Sequence, residues 1–264
     1  MLIDTHAHLD FPDFEGELDA VLTRAAEAGV TRIITIGTSV ESSRRAVALA
    51  ESHPALFAAI GIHPNSAVKA EPGAMDALRK LAQSPRVVAV GETGLDYYRL
   101  PATGADAEKT AQASLFTQQL ALAAELGLNV VIHQRGDCME DTLALLAPWQ
   151  GKLRAVFHCF GGLPETAAAL LALGHLVSFT GIVTFKNAEA VQASATAVPD
   201  GAYMVETDCP YLAPTPFRGK RCEPAHTRLT AEKIAQLRGQ TLQHVAQATS
   251  LAAETFFRFP PLNA

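Results

Sequence analysis

The sequence has 264 residues, a formal net charge of −6 at pH 7, 48% hydrophobic residues and 18% charged residues. This length and composition exclude an extensively disordered chain and predict one large core, a single domain over residues 1–264, with two smaller domains as the alternative. The negative charge excludes a broadly basic surface that holds duplex DNA through many phosphates, so any contact with nucleic acid is expected to be local.

Eight short apolar segments are predicted to be strands, at 2–5, 32–37, 56–61, 87–92, 129–133, 154–158, 176–181 and 203–208. They are rich in Val, Ile, Leu and Phe without polar alternation, as expected for parallel strands covered on both faces. Helical patterns lie between them, and the pattern at 108–127, for example, stops at Gly127. Two more helices are predicted at 228–238 and 241–257.

The regular alternation of strand and helix predicts an α/β fold with a parallel sheet. Eight such strands close most economically as a single (β/α)8 TIM barrel, although an open doubly wound sheet has the same periodicity.

The N-terminal segment lacks the basic and apolar regions of a secretory signal, and no later apolar run is long enough to span a membrane. The four cysteines are far apart and form no CxxC pair, which fits a reducing compartment better than a disulfide framework. The sequence therefore predicts a cytoplasmic protein without membrane contact, and no obligate protein partner is evident.

Ionisable side chains are concentrated where the predicted strands end, which in a TIM barrel is the active-site face. His6 and His8 are two apart on an extended segment, so both project to one side and suit joint binding of one ion. Imidazoles and carboxylates that converge in one cavity are costly to bury unless they are paired or bind metal. The sequence predicts a metal centre formed by His6, His8, Glu92, His133, His158 and Asp208.

Each of these residues also has a purely structural interpretation. The histidines could be core or surface residues, Glu92 could form an ion pair with Arg99 or Arg135, and Asp208 could cap a turn. Because all six groups would then meet at one cavity by coincidence, the metal interpretation is favoured.

The remaining histidines in helices and loops are expected to be exposed, namely His53, His175, His226 and His244. Cys159 and Cys209 adjoin candidate ligands but are expected to face away from them as buried thiols.

Six motifs follow one another along the chain: DTHAHLD (4–10), GIHP (61–64), VGETGLDYYR (90–99), IHQR (132–135), FHCFGG (157–162) and ETDCPYLAPTPFRGKRCEP (206–224). As a set they are highly specific, and they resemble the TatD family of metal-dependent deoxyribonucleases, a branch of the amidohydrolase-like barrels. The sequence departs from the usual family motifs at Gln134, Gly161 and Cys222. None of these three is a ligand, and we expect them to line or support the substrate cleft.

The resemblance implies two divalent ions, with Zn, Mn, Mg, Ni or Co as candidates. One ion would be held by His6, His8 and Asp208, the other by His133 and His158, with Glu92 bridging both.

The resemblance also implies hydrolysis by a metal-held hydroxide, with Asp208 as the proton acceptor. His63 would stabilise a phosphoryl oxygen or the leaving group, and its structural alternative is a turn residue before Pro64. Glu206 is expected to lie behind the ligands and to orient one of the histidines.

Basic residues near the strand ends bear on the substrate. Arg99, Arg135, Arg218 and Arg221 are expected on the same face, where they would surround the site with local positive charge; the segment PTPFRGKR could equally be a solvated loop. These residues favour a phosphodiester substrate, such as DNA ends cut by a 3′-exonuclease. The alternatives are a hydrolase of carbonyl esters, amides or aminoacyl-tRNA esters, and a non-enzymatic protein, against which the intact ligand set argues.

Overall fold

The computed structural model describes residues 1–260, and within this range eight parallel strands alternate with α-helices. The strands are β1 (Leu2–Ala7), β2 (Val30–Ile36), β3 (Leu56–Ile60), β4 (Val87–Asp96), β5 (Asn129–Arg135), β6 (Ala155–Phe157), β7 (Leu176–Phe179) and β8 (Tyr203–Val205). Each strand pairs with the next in chain order, and a bridge between Ala7 and Cys209 joins the two ends of the sheet. The predicted (β/α)8 barrel is confirmed. The predicted single domain extends to residues 261–264, which lie outside the described range.

The α-helices surround this sheet. In chain order they are α1 (Leu18–Glu27), α2 (Val40–Ser52), α3 (Ala74–Leu81), α4 (Ala105–Leu126), α5 (Met139–Leu146), α6 (Pro164–Ala172), α7 (Glu189–Ala197), α8 (Thr227–Arg238) and α9 (Leu242–Phe257). The hydroxyl of Ser39 caps α2 by accepting the N–H of Ser42, and α4 ends at Gly127 in the left-handed conformation, where glycine carries no steric penalty. None of the helices within residues 1–260 combines the length and apolarity that a membrane crossing requires.

Two apolar clusters form the core because alternate strand residues face opposite sides of the sheet. The outward set, which includes Ile33 and Leu56, packs beneath the helices. The inward set, which includes Ile34 and Phe57, packs against Phe256 of α9. Burial of each such side chain contributes about 1.5–3 kcal/mol, so α9 helps to hold the barrel together.

The strand ends differ from the sequence-based boundaries in a way that shapes the site. β4 continues past Glu92 to Asp96, whereas β6 and β8 end early and leave His158 and Asp208 in the segments just after them. A side chain at Gly91 would meet the backbone oxygen of Val131 at 2.6 Å, so only glycine lets β4 and β5 approach this closely beside Glu92.

Candidate metal centre

A cavity of about 780 Å³ opens at the carboxyl ends of the strands. Residues at the end of every strand line it, because parallel strands bring all these ends to one face of the barrel. Among the lining side chains are His8, Glu92, His133, His158 and Asp208. The sixth predicted ligand, His6, is fully buried beside His8. The structure therefore brings all six predicted ligands together.

Two imidazoles come from the end of β1: His6 is the last residue but one of the strand, and His8 follows the strand directly. Nδ1 of His8 lies 3.2 Å from the backbone oxygen of Ile36. Because a carbonyl only accepts, Nδ1 carries the proton and Nε2 keeps its lone pair. The Nε2 atoms of His6 and His8 are 3.3 Å apart. Two imidazoles on one tetrahedral ion with bonds of about 2.0–2.1 Å have their nitrogens about 3.3–3.4 Å apart, so this spacing suits shared ligation.

Glu92 lies at the centre of the imidazoles. Its Oε1 is 2.7 Å from His133 Nδ1 and 2.9 Å from His158 Nε2, and its Oε2 is 3.5 Å from His6 Nε2. Burial raises the pKa of this carboxyl, but the imidazoles of His158 and His63 more than offset burial and hold the pKa well below its usual value. Glu92 is therefore ionised, with one oxygen directed to each side of the cavity.

Asp208 completes the group on the Oε2 side. Its Oδ1 lies 3.3 Å from His8 Nε2 and 3.7 Å from His6 Nε2. Its backbone has a φ of 59°, and its N–H donates to the backbone oxygen of His6 at 2.8 Å. Burial raises the pKa of Asp208, whereas the hydrogen bond with His8 lowers it below the usual value. His6, His8 and Asp208 offer three ligand atoms within 4.8 Å of one another and could hold one ion.

A second group lies on the Oε1 side of Glu92. His63 Nε2 is 3.3 Å from His133 Nδ1 and 3.6 Å from Glu92 Oε1. Together these three residues offer ligand atoms within 4.8 Å of one another. Burial lowers the pKa of His63 to about 4, so its ring is neutral near pH 7. The structure thus places His63, predicted as a substrate contact, among the groups that could also hold an ion.

Glu206 lies on the far side of His158 from Glu92. Its Oε1 is 3.3 Å from His158 Nδ1 and accepts the N–H of Cys159 at 2.7 Å, while its Oε2 accepts the hydroxyl of Ser178 at 2.7 Å. A carboxylate beside Nδ1 favours the proton on that nitrogen and leaves Nε2 free to bind metal. This is the geometry expected of a residue that orients a histidine ligand.

Asp96 is a residue of the site that the sequence analysis missed. Its Oδ2 lies 3.2 Å from His133 Nε2 and accepts a hydrogen bond from Asn65 Nδ2 at 3.3 Å. Burial raises the pKa of Asp96, but the hydrogen bond with His133 lowers it below the usual value. The signal was present, since residues 92, 94 and 96 of an extended strand face one side. The predicted strand ended at residue 92, so this alternation was not followed as far as Asp96.

Two predictions about individual side chains were wrong. Cys159, expected to face away as a buried thiol, lines the cavity with a backbone φ of 48°. His175, expected to be exposed, is buried between α6 and β7, where its Nδ1 accepts the N–H of Ala155 at 3.3 Å. Cys209 is buried as expected and His244 is exposed, whereas His53 and His226 are half-buried.

The four arginines separate into two pairs. Arg99 and Arg135 line the cavity. Arg218 lies over the ring of Phe185 at 4.4 Å and Arg221 pairs with Glu17 at 2.8 Å, and neither is among the lining residues. Glu92 forms no ion pair with an arginine within residues 1–260.

The three departures from the family motifs also separate. Gln134 and Gly161 line the cavity. Cys222 is buried outside the cavity lining, with its Sγ 3.5 Å from His226 Nδ1. The expectation that all three contact or support the cleft therefore holds directly for only the first two.

Eight parallel strands with imidazoles and carboxylates gathered at their carboxyl ends define a metal-dependent hydrolase on a (β/α)8 barrel. The family of TatD-related DNases matches residues 3–258. The chain belongs to this family.

Relatives and solved structures agree with this membership. The metal-dependent hydrolase YabD of Bacillus subtilis is 36% identical over 259 residues, which cover 98% of this chain and 99% of YabD. The 3′-5′ ssDNA/RNA exonuclease TatD of Enterobacter lignolyticus is 37% identical over 262 residues, covering 97% and 98% of the two chains. The crystal structure of YJJV, a TatD homologue from Escherichia coli, superposes with a TM-score of 0.90 at 30% identity and covers 98% of each chain.

Proposed function

We propose that this protein is a metal-dependent phosphodiesterase that removes nucleotides from the 3′ ends of DNA. The observation that carries the proposal is the joint lining of one cavity by metal-ligating side chains and two arginines. The metal-ligating side chains suit hydrolysis, and the arginines suit binding of a phosphate chain. A relative at 37% identity named as a 3′-5′ ssDNA/RNA exonuclease supports a single-stranded substrate and leaves RNA as a second candidate.

The donor set fits two divalent ions. His6, His8 and Asp208 would hold one ion, His133 and His158 the other, and Glu92 would bridge them. Buried carboxylates need positive charge nearby, and Glu92, Glu206 and Asp96 are each at most 3% exposed. In addition, Nδ1 of His6 is buried without a hydrogen-bond partner within the described chain, and Nε2 is the ring nitrogen that faces the carboxylates of Glu92 and Asp208, at 3.5 and 3.7 Å. Nitrogen and carboxylate ligands suit Zn, Mn, Co or Ni, and Mg is the oxygen-preferring candidate.

Divalent ions, when bound, lower the pKa of water and neutralise the charge that develops on phosphoryl oxygens. Asp208, on the cavity side of His8, would accept the proton of the attacking water. His63, neutral and half-buried, would donate a hydrogen bond to a phosphoryl oxygen or the leaving group. Glu206 and Asp96 would hold the rings of His158 and His133 in place.

Arg99 and Arg135 would bind the phosphates next to the scissile bond. Because the net charge of the chain is −6, this local pair would supply positive charge that the overall composition does not. The cytoplasmic location predicted from the sequence stays a prediction.

The test is a panel of single-stranded DNA, single-stranded RNA, a minimal chromogenic phosphodiester and a carboxylic ester, each assayed with EDTA and with Mg, Mn, Co, Ni or Zn. We expect metal-dependent release of nucleotides from 3′ ends. Cleavage of the carboxylic ester without cleavage of any phosphodiester would overturn the proposal in favour of a carbonyl hydrolase.

A double variant tests the role of the arginines. Arg99→Gln with Arg135→Gln is expected to raise KM for DNA and to reduce the slope of log K against log salt by about 0.7 for each phosphate of the single strand that the protein no longer binds. Arg218→Gln with Arg221→Gln removes the same charge outside the cavity lining and is the matched control. Equal effects of the two double variants would show that net charge, and not direct binding by Arg99 and Arg135, governs affinity.

A further inference from the structure

The walls of the cavity differ in chemistry. The side formed after β7, β8 and β1 carries Ile182, Tyr211, Leu212 and Phe11. The side formed after β4 and β5 carries Arg99 and Arg135. A nucleotide also has one apolar and one charged part, because it joins a flat aromatic base to an anionic phosphate. The cavity volume of about 780 Å³ falls within the range of about 300–1,000 Å³ typical of small-molecule sites.

Two rings on the apolar side form a corner next to the candidate ligands. Phe11 stacks on His8 with ring centroids 4.8 Å apart and an interplanar angle of 19°. Tyr211 meets Phe11 edge to face, at 6.3 Å and 78°. Tyr211 is 55% exposed, so its ring is accessible from the cavity. We call Phe11 and Tyr211 the aromatic corner.

Backbone hydrogen bonds connect this corner to the metal centre. The N–H of Phe11 donates to the oxygen of His8 at 3.3 Å, and the N–H of Tyr211 donates to the oxygen of Asp208 at 3.0 Å. Each aromatic residue therefore follows a candidate ligand by three residues, and its backbone is held next to that ligand. A group resting on the corner would be placed reproducibly beside the reacting phosphate.

We propose that the aromatic corner binds the terminal nucleobase of a single strand while the scissile phosphate lies at the metal centre, an inference that rests on the proposed function. Stacking on an aromatic ring tolerates any base sequence because every base has a π face. A base that stacks on Tyr211 must leave a duplex stack, which favours single-stranded or frayed ends. Arg99 and Arg135 then face the phosphates on the opposite wall.

The test compares two single-stranded oligonucleotides with identical phosphates, one ending in an ordinary nucleotide and the other in an abasic one. Base stacking contributes a factor of about 5 to about 150 in binding, so kcat/KM of the wild type is expected to favour the ordinary end by that ratio. Tyr211→Leu keeps apolar bulk without the π face and should reduce the ratio towards one, whereas Tyr211→Phe should preserve it. Exposure of Tyr211 makes misfolding of either variant a minor concern.

Tyr98→Leu is the matched control, because Tyr98 is 69% exposed near the opposite wall but outside the cavity lining. Any effect through Arg135, which lies 4.8 Å from the Tyr98 ring, would act on both oligonucleotides alike and leave the ratio unchanged. A second readout uses a terminal 2-aminopurine in EDTA, whose fluorescence should be quenched on binding to the wild type and Tyr211→Phe but less by Tyr211→Leu.

The outcomes separate the two proposals. If the wild type cleaves both oligonucleotides equally well, or Tyr211→Leu keeps the wild-type ratio, the aromatic corner does not bind the base, and the nuclease assignment stands. If the wild type neither binds nor cleaves either oligonucleotide with any metal, the proposed function itself is wrong.

Discussion

Replacement of Glu92 by Gln probes the metal centre directly, because it removes one negative charge and keeps the shape of the side chain. The Glu92 carboxylate lies within 3.8 Å of imidazole nitrogens on both sides of the cavity, namely those of His6, His8, His63, His133 and His158. It contacts both candidate ligand groups, so the amide is expected to weaken binding at both.

The size of the effect follows from linkage. An ion that binds only the folded protein stabilises it by about 2.7 kcal/mol at a concentration 100 times its Kd. For a chain of this size, that corresponds to a rise in Tm of about 5–11 °C. A Kd weakened 100-fold leaves about 0.4 kcal/mol at the same concentration, and the rise falls below about 2 °C.

The assay follows thermal unfolding of each protein with EDTA and with added Mn or Zn, together with elemental analysis of bound metal. The difference between the two conditions cancels the effect of the substitution on the metal-free protein. Glu41→Gln is the control, since Glu41 is exposed and pairs with Arg45 at 3.7 Å on the surface of α2. A Glu92→Gln protein with the wild-type shift in Tm and the wild-type metal content would refute the bridging role.

Other substitutions test separate parts of the structure. Asp208→Asn should lower turnover of DNA by about 10²–10⁴ at saturating metal, because it removes the proposed proton acceptor; turnover within a few-fold of wild type at normal metal content would exclude that role. Asp96→Asn should weaken metal affinity by about 10- to 100-fold, because the Asp96 carboxylate no longer holds the ring of His133, and a titration against a competing chelator that gives the wild-type Kd would contradict it. Phe256→Ala should lower the free energy of unfolding in urea by about 3–5 kcal/mol, since Phe256 is fully buried in the inward cluster; a decrease below about 1 kcal/mol would show that α9 is dispensable to the barrel.

The fold was predictable because its signals are local and repeated. Buried parallel strands such as β2 and β3 appear as unbroken apolar runs, and α4 ends at Gly127, where the sequence places its stop. Boundaries were less predictable, since β4 runs on to Asp96 through glycines that have low strand propensity. Close pairing with β5, where Gly94 lies opposite His133, extends the strand there.

The positions of the candidate ligands were predictable for a topological reason. In a parallel barrel every carboxyl strand end reaches the same face, so a residue such as His133 or His158 is placed there by its position in the chain alone. The directions of other side chains near the strand ends were not predictable in this way. Cys159 has a positive φ, which ends the strand alternation, and the residue lines the cavity. His175 is buried beside the neighbouring strand, where Ala155 donates to its Nδ1, a contact that the local sequence does not predict.

The directions of basic side chains in loops could not be predicted from their positions in the sequence. The side chain of Arg221 is directed by Glu17 and that of Arg218 by Phe185, partners that no local pattern connects to them. A phosphate that bound Arg221 would have to compete with the Glu17 carboxylate. Arg99 and Arg135 line the cavity, and within residues 1–260 their guanidinium groups form no ion pair with a carboxylate within 4.0 Å, although the backbone N–H of Arg99 donates to Asp96 Oδ1 at 3.1 Å. A polyanion could therefore bind them without displacing an ion pair, and the proposed preference for phosphate depends on these two arginines.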